Sequence, residues 1–180
     1  MKLILASSSP RRIELLKKLV PDFEIKIPKQ KELLDSSKNA TENTQALATQ
    51  KAREMFEPGS LTLGFDTLGE LGGVHFGKPS DKSEAAKLLR KLSGKTHSVI
   101  SSFCAKNDYE EIVGSELAQV TFRELTDVEI ETYVAENPVE DFAGAYAIQG
   151  EAKNFVTKVD GAIEVVIGFP FASIKKILKR

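Results

Sequence analysis

Leu3-Ile4-Leu5-Ala6-Ser7-Ser8-Ser9-Pro10-Arg11-Arg12 joins an apolar tetrapeptide to a helix start, and its reading sets the class of the fold. The four apolar residues are too few for a helix and predict a short buried strand. Ser9 is a good N-cap, and Pro10 suits the first helical position, where its missing N–H removes nothing. Ile13, Leu16 and Leu19 then mark one helical face. Arg11 and Arg12 are the misfit. They put two cations into a first turn whose dipole and free N–H groups are already positive, at about 0.3–1 kcal/mol each when uncompensated. Two readings stand side by side. Both guanidinium groups point into water, or a bound polyanion meets the N–H groups, the serine hydroxyls and two guanidinium forks together.

Outward from that stretch, strand-like and helix-like segments alternate, which predicts an α/β fold with a mixed sheet. Phe23 to Ile27 alternates as a strand, and residues 28–40 are polar and loop-like. Thr44 to Phe56 is predicted helical, with Leu47, Ala48, Ala52 and Met55 on one face, stopping before Pro58-Gly59. Leu61, Leu63 and Phe65 alternate with Thr62, Gly64 and Asp66, the pattern of a half-buried strand. Gly72-Gly73 suits a two-residue hairpin turn, in whose register Leu71 faces Val74 and Thr67 faces Lys78. A helix over Asp81 to Leu92 and strands at about 96–104 and 115–122 follow. Thr126 and Glu129 form a capping box for a helix ending before Pro138. Short strands near 153–159 and 162–167 precede a last helix from Pro170. The loops around 123–126 and 137–144 are the candidate lobe boundaries within a single domain of residues 1–180.

A chain of 180 residues fits one domain, or two closely joined lobes, with a core of useful size. The net charge of −1 gives no global pull toward nucleic acid or an anionic membrane, so any polyanion has to be held by a local cluster. Cys104 is the one cysteine, which excludes an internal disulfide and a multi-cysteine zinc site. In the apolar-leaning run Val99 to Ala105 it reads as a buried structural thiol. His75 and His97 stand too far apart for a metal-ligand spacing. The sequence has no signal-peptide-like region and no membrane span, and the expectation is a cytoplasmic protein. It carries no Walker loop, nucleophile elbow or dinucleotide fingerprint.

Asp66 falls at the C-terminal end of its expected strand, where open α/β sheets place their ligands. Thr67 follows, and the hairpin returns Gly77-Lys78-Pro79. Gly77 permits close backbone approach, and Lys78 offers a point charge for a phosphate. The register sets Lys78 beside Thr67, within reach of Asp66, provided the strand ends or bulges at Gly77. The alternative is an exposed hairpin whose surface ion pair is worth little. Lys51 shares a helical row with Leu47 and Met55 and so lies on the apolar face. Either its stem covers the core while the ammonium reaches water, or the ammonium emerges into a cleft. Glu32, one acidic residue in a lysine-rich loop, reads by pattern as a solvated carboxylate. Gly144-Ala145-Tyr146-Ala147-Ile148-Gln149-Gly150 suits a tight loop packed on a planar ligand, and Gln149 can donate to and accept from a base edge. As an ordinary turn, the same segment would half-bury its tyrosine.

In one order along the chain, Ser7-Ser8-Ser9-Pro10-Arg11-Arg12, Lys51-Ala52, Phe65-Asp66-Thr67, Gly77-Lys78-Pro79, Leu92-Ser93-Gly94-Lys95-Thr96-His97, Ala143 to Gly150 and Gly168-Phe169-Pro170 form a series. That series resembles the Maf family of nucleoside triphosphate pyrophosphatases, relatives of the inosine triphosphate pyrophosphatases. The likeness runs from residue 3 to about 171. It implies an α/β fold with an elongated mixed β-sheet flanked by helices, two lobes around a central cleft, and often a homodimer. It implies hydrolysis of a nucleoside triphosphate to the monophosphate and pyrophosphate with Mg²⁺ or Mn²⁺. By position, the resemblance makes Asp66 the general base and Arg11, Thr67 and Gln149 the specificity positions. Ser8, Arg12, Glu32, Lys51 and Lys78 then line the phosphate and metal cleft. A metal bridging phosphate oxygens needs hard carboxylate ligands, for which Glu32 and Asp66 are the candidates. Whether Asp66 serves as base, metal ligand or both stays open at this point.

The chain also departs from the family pattern. Lys29-Gln30-Lys31 stand where acidic residues usually precede the Glu32 position. Phe65 replaces a usual alanine, Phe142 a basic residue, and Ala162-Ile163-Glu164-Val165 a stretch that commonly contains serine and asparagine. The Ala145-Tyr146 and Ile148-Gln149-Gly150 pattern resembles the branch acting on dTTP and UTP, with CTP or modified pyrimidine nucleotides as further substrates. The alternatives are a 7-methylguanosine triphosphate pyrophosphatase, a non-catalytic nucleotide-binding regulator of cell division, and a phosphotransferase using the same anion site.

Overall fold

The structure is a computed structural model that describes residues 2–179. β1 (Lys2–Ala6) leads into α1 (Pro10–Lys17), with Pro10 opening the helix as expected. The turn between them is braced by the Ser9 N–H, which donates to Ser7 Oγ at 3.2 Å. β2 (Glu24–Lys26), α2 (Ala40–Met55) and β3 (Ser60–Leu71) follow. β4 (Val74–Phe76), α3 (Lys82–Leu92), β5 (Thr96–Lys106), β6 (Glu111–Phe122) and α4 (Asp127–Glu136) come next. Three 3₁₀ turns (Val139–Asp141, Ala143–Ala145 and Glu151–Phe155) precede β7 (Val156–Asp160), α5 (Ile163–Ile167) and α6 (Phe171–Ile177). Among the described residues seven strands form one open mixed sheet in the order β2-β1-β3-β5-β6-β7, with β4 paired to β3. β1 is parallel to β2 and to β3, whereas β3–β4 and β6–β7 are antiparallel.

Local chemistry explains most element ends. α3 starts where Asp81 accepts the Glu84 N–H at 2.8 Å, and α4 starts at the expected Thr126–Glu129 capping box. α2 begins at Ala40, ahead of the expected Thr44. Asn39 Oδ1 accepts the Glu42 N–H and the Glu42 carboxylate accepts the Asn39 N–H, both at 2.9 Å, a reciprocal cap that nucleates the extra turn. β3 is buried on both faces through Asp66, where the alternation predicted half-burial. Its second face is covered by α2 at Gly64, where a Cβ would stand 2.2 Å from the Ala48 carbonyl oxygen. The β-branched run over 162–167 is helix α5, where a strand was expected. Gly161, at φ 116°, turns the chain, and within α5 only Val165 is fully buried, so no alternating face is needed.

The hairpin pairs Leu71 with Val74, as expected, then Glu70 with His75 and Gly69 with Phe76, where β4 ends. The strand end required at Gly77 is present, and the ladder therefore stops short of the expected Thr67–Lys78 pairing.

The chain divides into two compact units. The first comprises residues up to Asp66, Ser101–Glu116 and residues from Gly168 on; the second comprises Thr67–Ile100 and Leu117–Ile167. The chain changes unit inside β3, β5 and β6, and the expected boundary loops at 123–126 and 137–144 both lie within the second unit. The first unit buries Ile4, Leu5, Leu16, Leu63, Phe65 and Phe169, together with Cys104 packed on Ala48 and Ala52. Leu89, Leu92, Phe122, Ile130, Tyr133, Tyr146 and Phe155 belong to the core of the second. Among the described residues no helix is long and apolar enough to cross a membrane.

Candidate active site

The parallel ladder of β1 and β3 ends with Ala6 opposite Gly64. Beyond it β1 gives way to Ser7-Ser8-Ser9 and α1, while β3 continues through Phe65 and Asp66. Asp66 therefore stands past the C-terminal end of the parallel ladder. It is not at the end of its own strand, as the alternation suggested, because β3 runs on to Leu71 in the hairpin.

Lys51, on α2, is 8% exposed, and its ammonium is turned inward. Nζ donates to Asp66 Oδ1 at 2.7 Å and to the Phe65 carbonyl at 3.3 Å, and lies 3.0 Å from Glu32 Oε1. The ammonium does not reach water: it is buried against a carboxylate and a carbonyl. Glu32 comes from the loop between β2 and α2 and stays about half exposed. That loop is tied to α2 through its backbone: Glu54 accepts the Lys29 N–H at 2.7 Å, and Gln50 Nε2 donates to the Lys31 carbonyl at 3.3 Å. The lysine-rich segment before Glu32 is thus fixed by its peptide groups, which leaves its side-chain charges unspecified.

Arg12 is half-buried and also turned inward. Nε donates to the Gly168 carbonyl at 2.9 Å and Nη1 to the Phe65 carbonyl at 3.2 Å, with the guanidinium carbon 5.7 Å from the Phe65 ring centroid. Phe65 packs on Phe169 with ring centroids 4.9 Å apart. Two cations accordingly share one acceptor, the Phe65 carbonyl, immediately before Asp66. Carbonyl dipoles offset part of what a cation loses in a helix's first turn. Arg11 is the half-buried neighbour whose charge, after burial, helps to lower the Arg12 pKa, while Asp66 opposes that shift. Ser8 is exposed between β1 and α1.

Burial pushes the Asp66 carboxyl above the ordinary aspartate value, with Lys51 and then Arg12 pulling it back. A buried carboxylate held by an ammonium is more basic than one in water and fixed in direction, which suits proton abstraction from a bound water.

Thr67, Lys78 and Gln149 belong to the second unit. Thr67 is half-buried on β3, and Lys78 is exposed just past β4. Gln149 is exposed in a turn closed by the Gly150 N–H on the Ala147 carbonyl at 2.9 Å. The Gly144 N–H donates to the Gly77 carbonyl at 3.0 Å, which ties the segments bearing Lys78 and Gln149 together. Tyr146 is nearly fully buried, deeper than an ordinary turn requires.

Sequence reasoning missed the Gly168 and Phe65 carbonyls, since backbone acceptors have no residue signature. One signal existed: Gly168 sits at φ 104°, which favours glycine.

Among the described residues no group of three or more His, Cys, Asp or Glu side chains could hold a metal ion. The donor set is Glu32 and Asp66, both aimed at one positive centre, the Lys51 ammonium. Two hard carboxylates suit a cation such as Mg²⁺, which takes one or two of them and completes its shell with water and phosphate oxygens.

A family model described as Maf-like protein matches residues 2–180. The chain is 39% identical over 180 residues to a dTTP/UTP pyrophosphatase of Bacillus pumilus, covering 99% of this chain and 95% of that protein. It is 40% identical over 176 residues to a dTTP/UTP pyrophosphatase of Thermococcus gammatolerans, covering 97% and 94%. The solved structure of the Staphylococcus aureus Ham1 protein superposes with a TM-score of 0.53 at 14% identity, covering 99% of this chain and 98% of that one, a likeness of fold.

Proposed function

The chain belongs to the Maf family, and on that premise we propose that it hydrolyses dTTP and UTP to the monophosphate and pyrophosphate. The observation that carries the reading is the buried Lys51–Asp66 pair, flanked by Glu32 and by an Arg12 anchored on two carbonyls. The relatives' names support the pyrimidine triphosphates as substrates.

Asp66 accepts a proton from the attacking water. The water oxygen bonds to the α-phosphorus, the bond from that phosphorus to the bridging oxygen breaks, and pyrophosphate leaves. Lys51 keeps the Asp66 carboxylate aimed, and with Arg12 and Lys78 it neutralises charge on the triphosphate and the departing group. Ser8 offers a hydroxyl to the phosphates. Arg11, Thr67 and Gln149 select the base. Glu32 and Asp66 would hold Mg²⁺ or Mn²⁺, whose contribution is Lewis-acid screening of phosphate charge. A homodimer and a cytoplasmic setting complete the proposal.

The test is a nucleotide panel with purified protein and Mg²⁺, assayed for pyrophosphate and orthophosphate. Pyrophosphate released fastest from dTTP and UTP is expected. Orthophosphate as the first product, or no release from any nucleotide, overturns the reading.

A further inference from the structure

We infer that His97 and Tyr146 are positioning residues for the turn that carries Gln149, and through that turn for recognition of the nucleotide base. The inference rests on the reading above, in which Gln149 contacts the base.

The segment leading into the turn is under backbone strain. Gly144 and Ala145 stand in succession at φ 77° and φ 64°, and among the described residues Ala145 is the one non-glycine at positive φ. A side chain in the left-handed region persists only where its surroundings hold it there. Two phenols supply the hold on the next residues. Tyr133 Oη accepts the Ala147 N–H at 3.2 Å, and Tyr146 Oη lies 2.9 Å from His97 Nε2. Ala147 is in turn the first residue of the turn that Gly150 closes, with Gln149 at its third position.

His97, on β5, is only 2% exposed, and its Nδ1 has no hydrogen-bond partner among the described residues. Its ring meets Tyr146 and Phe122 edge-on, at 5.6 Å and 5.1 Å between centroids. An apolar side chain would fill such a place without leaving a ring nitrogen unmet. What the imidazole adds is the bond to the phenol. A neutral ring has one N–H, and the phenol can donate to a bare Nε2 or accept from a protonated one, so the bond forms with either tautomer. Phe76 also faces the His97 ring at 6.1 Å, and Gly144 packs on Phe76 and donates to the Gly77 carbonyl. One buried histidine therefore braces the glutamine turn and the packing that precedes Lys78.

Tyr146→Phe removes a single oxygen from this arrangement. In that variant KM for dTTP and UTP is expected to rise by about 3–10-fold while kcat changes less than about two-fold, the worth of one buried hydrogen bond. Preference for dTTP over CTP narrows. His97→Gln, whose amide can still donate to the phenol, keeps more of that preference than His97→Leu. Amide hydrogen exchange at Ala147 and Gly150 reads the turn without any nucleotide and is expected to quicken at least about ten-fold in Tyr146→Phe, with α1 and α2 unaffected. Unchanged exchange in the turn, uniform quickening along the chain, or equal KM loss for every nucleotide overturns the inference. A wild-type protein that cleaves no nucleotide overturns the proposed function instead, and the exchange comparison still decides whether the pair positions the turn.

Discussion

Lys51 Nζ lies 2.7 Å from Asp66 Oδ1, in a pair whose side chains are 10% and 8% exposed. Burial has raised the Asp66 pKa in spite of that ammonium, so desolvation outweighs attraction at the carboxylate. Under the proposed function this pair holds the base, and the consequences are measurable.

Asp66→Asn keeps the shape and an acceptor for Lys51 while removing the base. Turnover of dTTP is expected to fall by about 10²–10⁴-fold with the circular dichroism spectrum unchanged. Activity within two-fold of wild type would remove Asp66 from the mechanism.

Lys51→Met leaves Asp66 and Glu32 without their shared cation. Breaking a buried pair from one side costs about 3–5 kcal/mol at pH 8. Asp66 in the variant is raised further, so its folded form takes up a proton before the unfolded chain does as pH falls. The deficit against wild type should therefore shrink below the raised pKa and be largest above it. Urea unfolding at pH 8 and pH 5 gives the two values.

Arg12→Lys keeps the charge and loses the fork that spans the Gly168 and Phe65 carbonyls. A point charge cannot satisfy both acceptors in the same geometry, and kcat/KM is expected to drop by about 10-fold or more. Equal kinetics for the two side chains would reduce Arg12 to a simple counter-charge.

Burial pulls His97 from 6.5 down to about 4. The unfolded chain then binds a proton that the folded chain refuses between those values, so stability falls as pH is lowered through that window and this contribution is complete above pH 7. The full effect is about 3 kcal/mol. Unfolding of wild type and His97→Gln at pH 7.5 and pH 4.5 should show the acid loss reduced in the variant.

Gly64→Ala would drive a Cβ against the Ala48 carbonyl oxygen and the Ala52 nitrogen, both backbone atoms that cannot step aside. A loss of about 3 kcal/mol is expected, with Lys51 carried off Asp66 as α2 shifts. Urea midpoints together with turnover report both effects.

What the sequence made legible was chiefly local. Asp81 and the Thr126–Glu129 box announced helix starts because each cap is built from neighbours a few residues apart, while at α1 Pro10 marked the start and the expected Ser9 side-chain cap is not made. The cap of α2 was just as local, yet Asn39 was masked by the polar run 28–40 and the helix was expected only from Thr44. Ile163 to Ile167 misled, since β-branched residues read as strand until a positive-φ glycine and the demands of packing are known. At the candidate site the anomalous residues were visible, a lysine on an apolar face and cations in a first turn. The direction each had taken was not, because long-range partners decided it. The carbonyls of Phe65 and Gly168 belong to any residue and so leave no trace in composition.

The bond between Arg12 and the Gly168 carbonyl joins residues 156 positions apart. Lys51, Asp66 and Glu32, by contrast, all lie within the first 66 residues. During synthesis, which releases the N-terminal part first, the carboxylates and their ammonium are present long before the carbonyl that seats the guanidinium. A ribosome-bound chain that has not delivered Gly168 owns the acid–base pair without the clamp. The seat of the Arg12 guanidinium is thus completed only once Gly168 has been made.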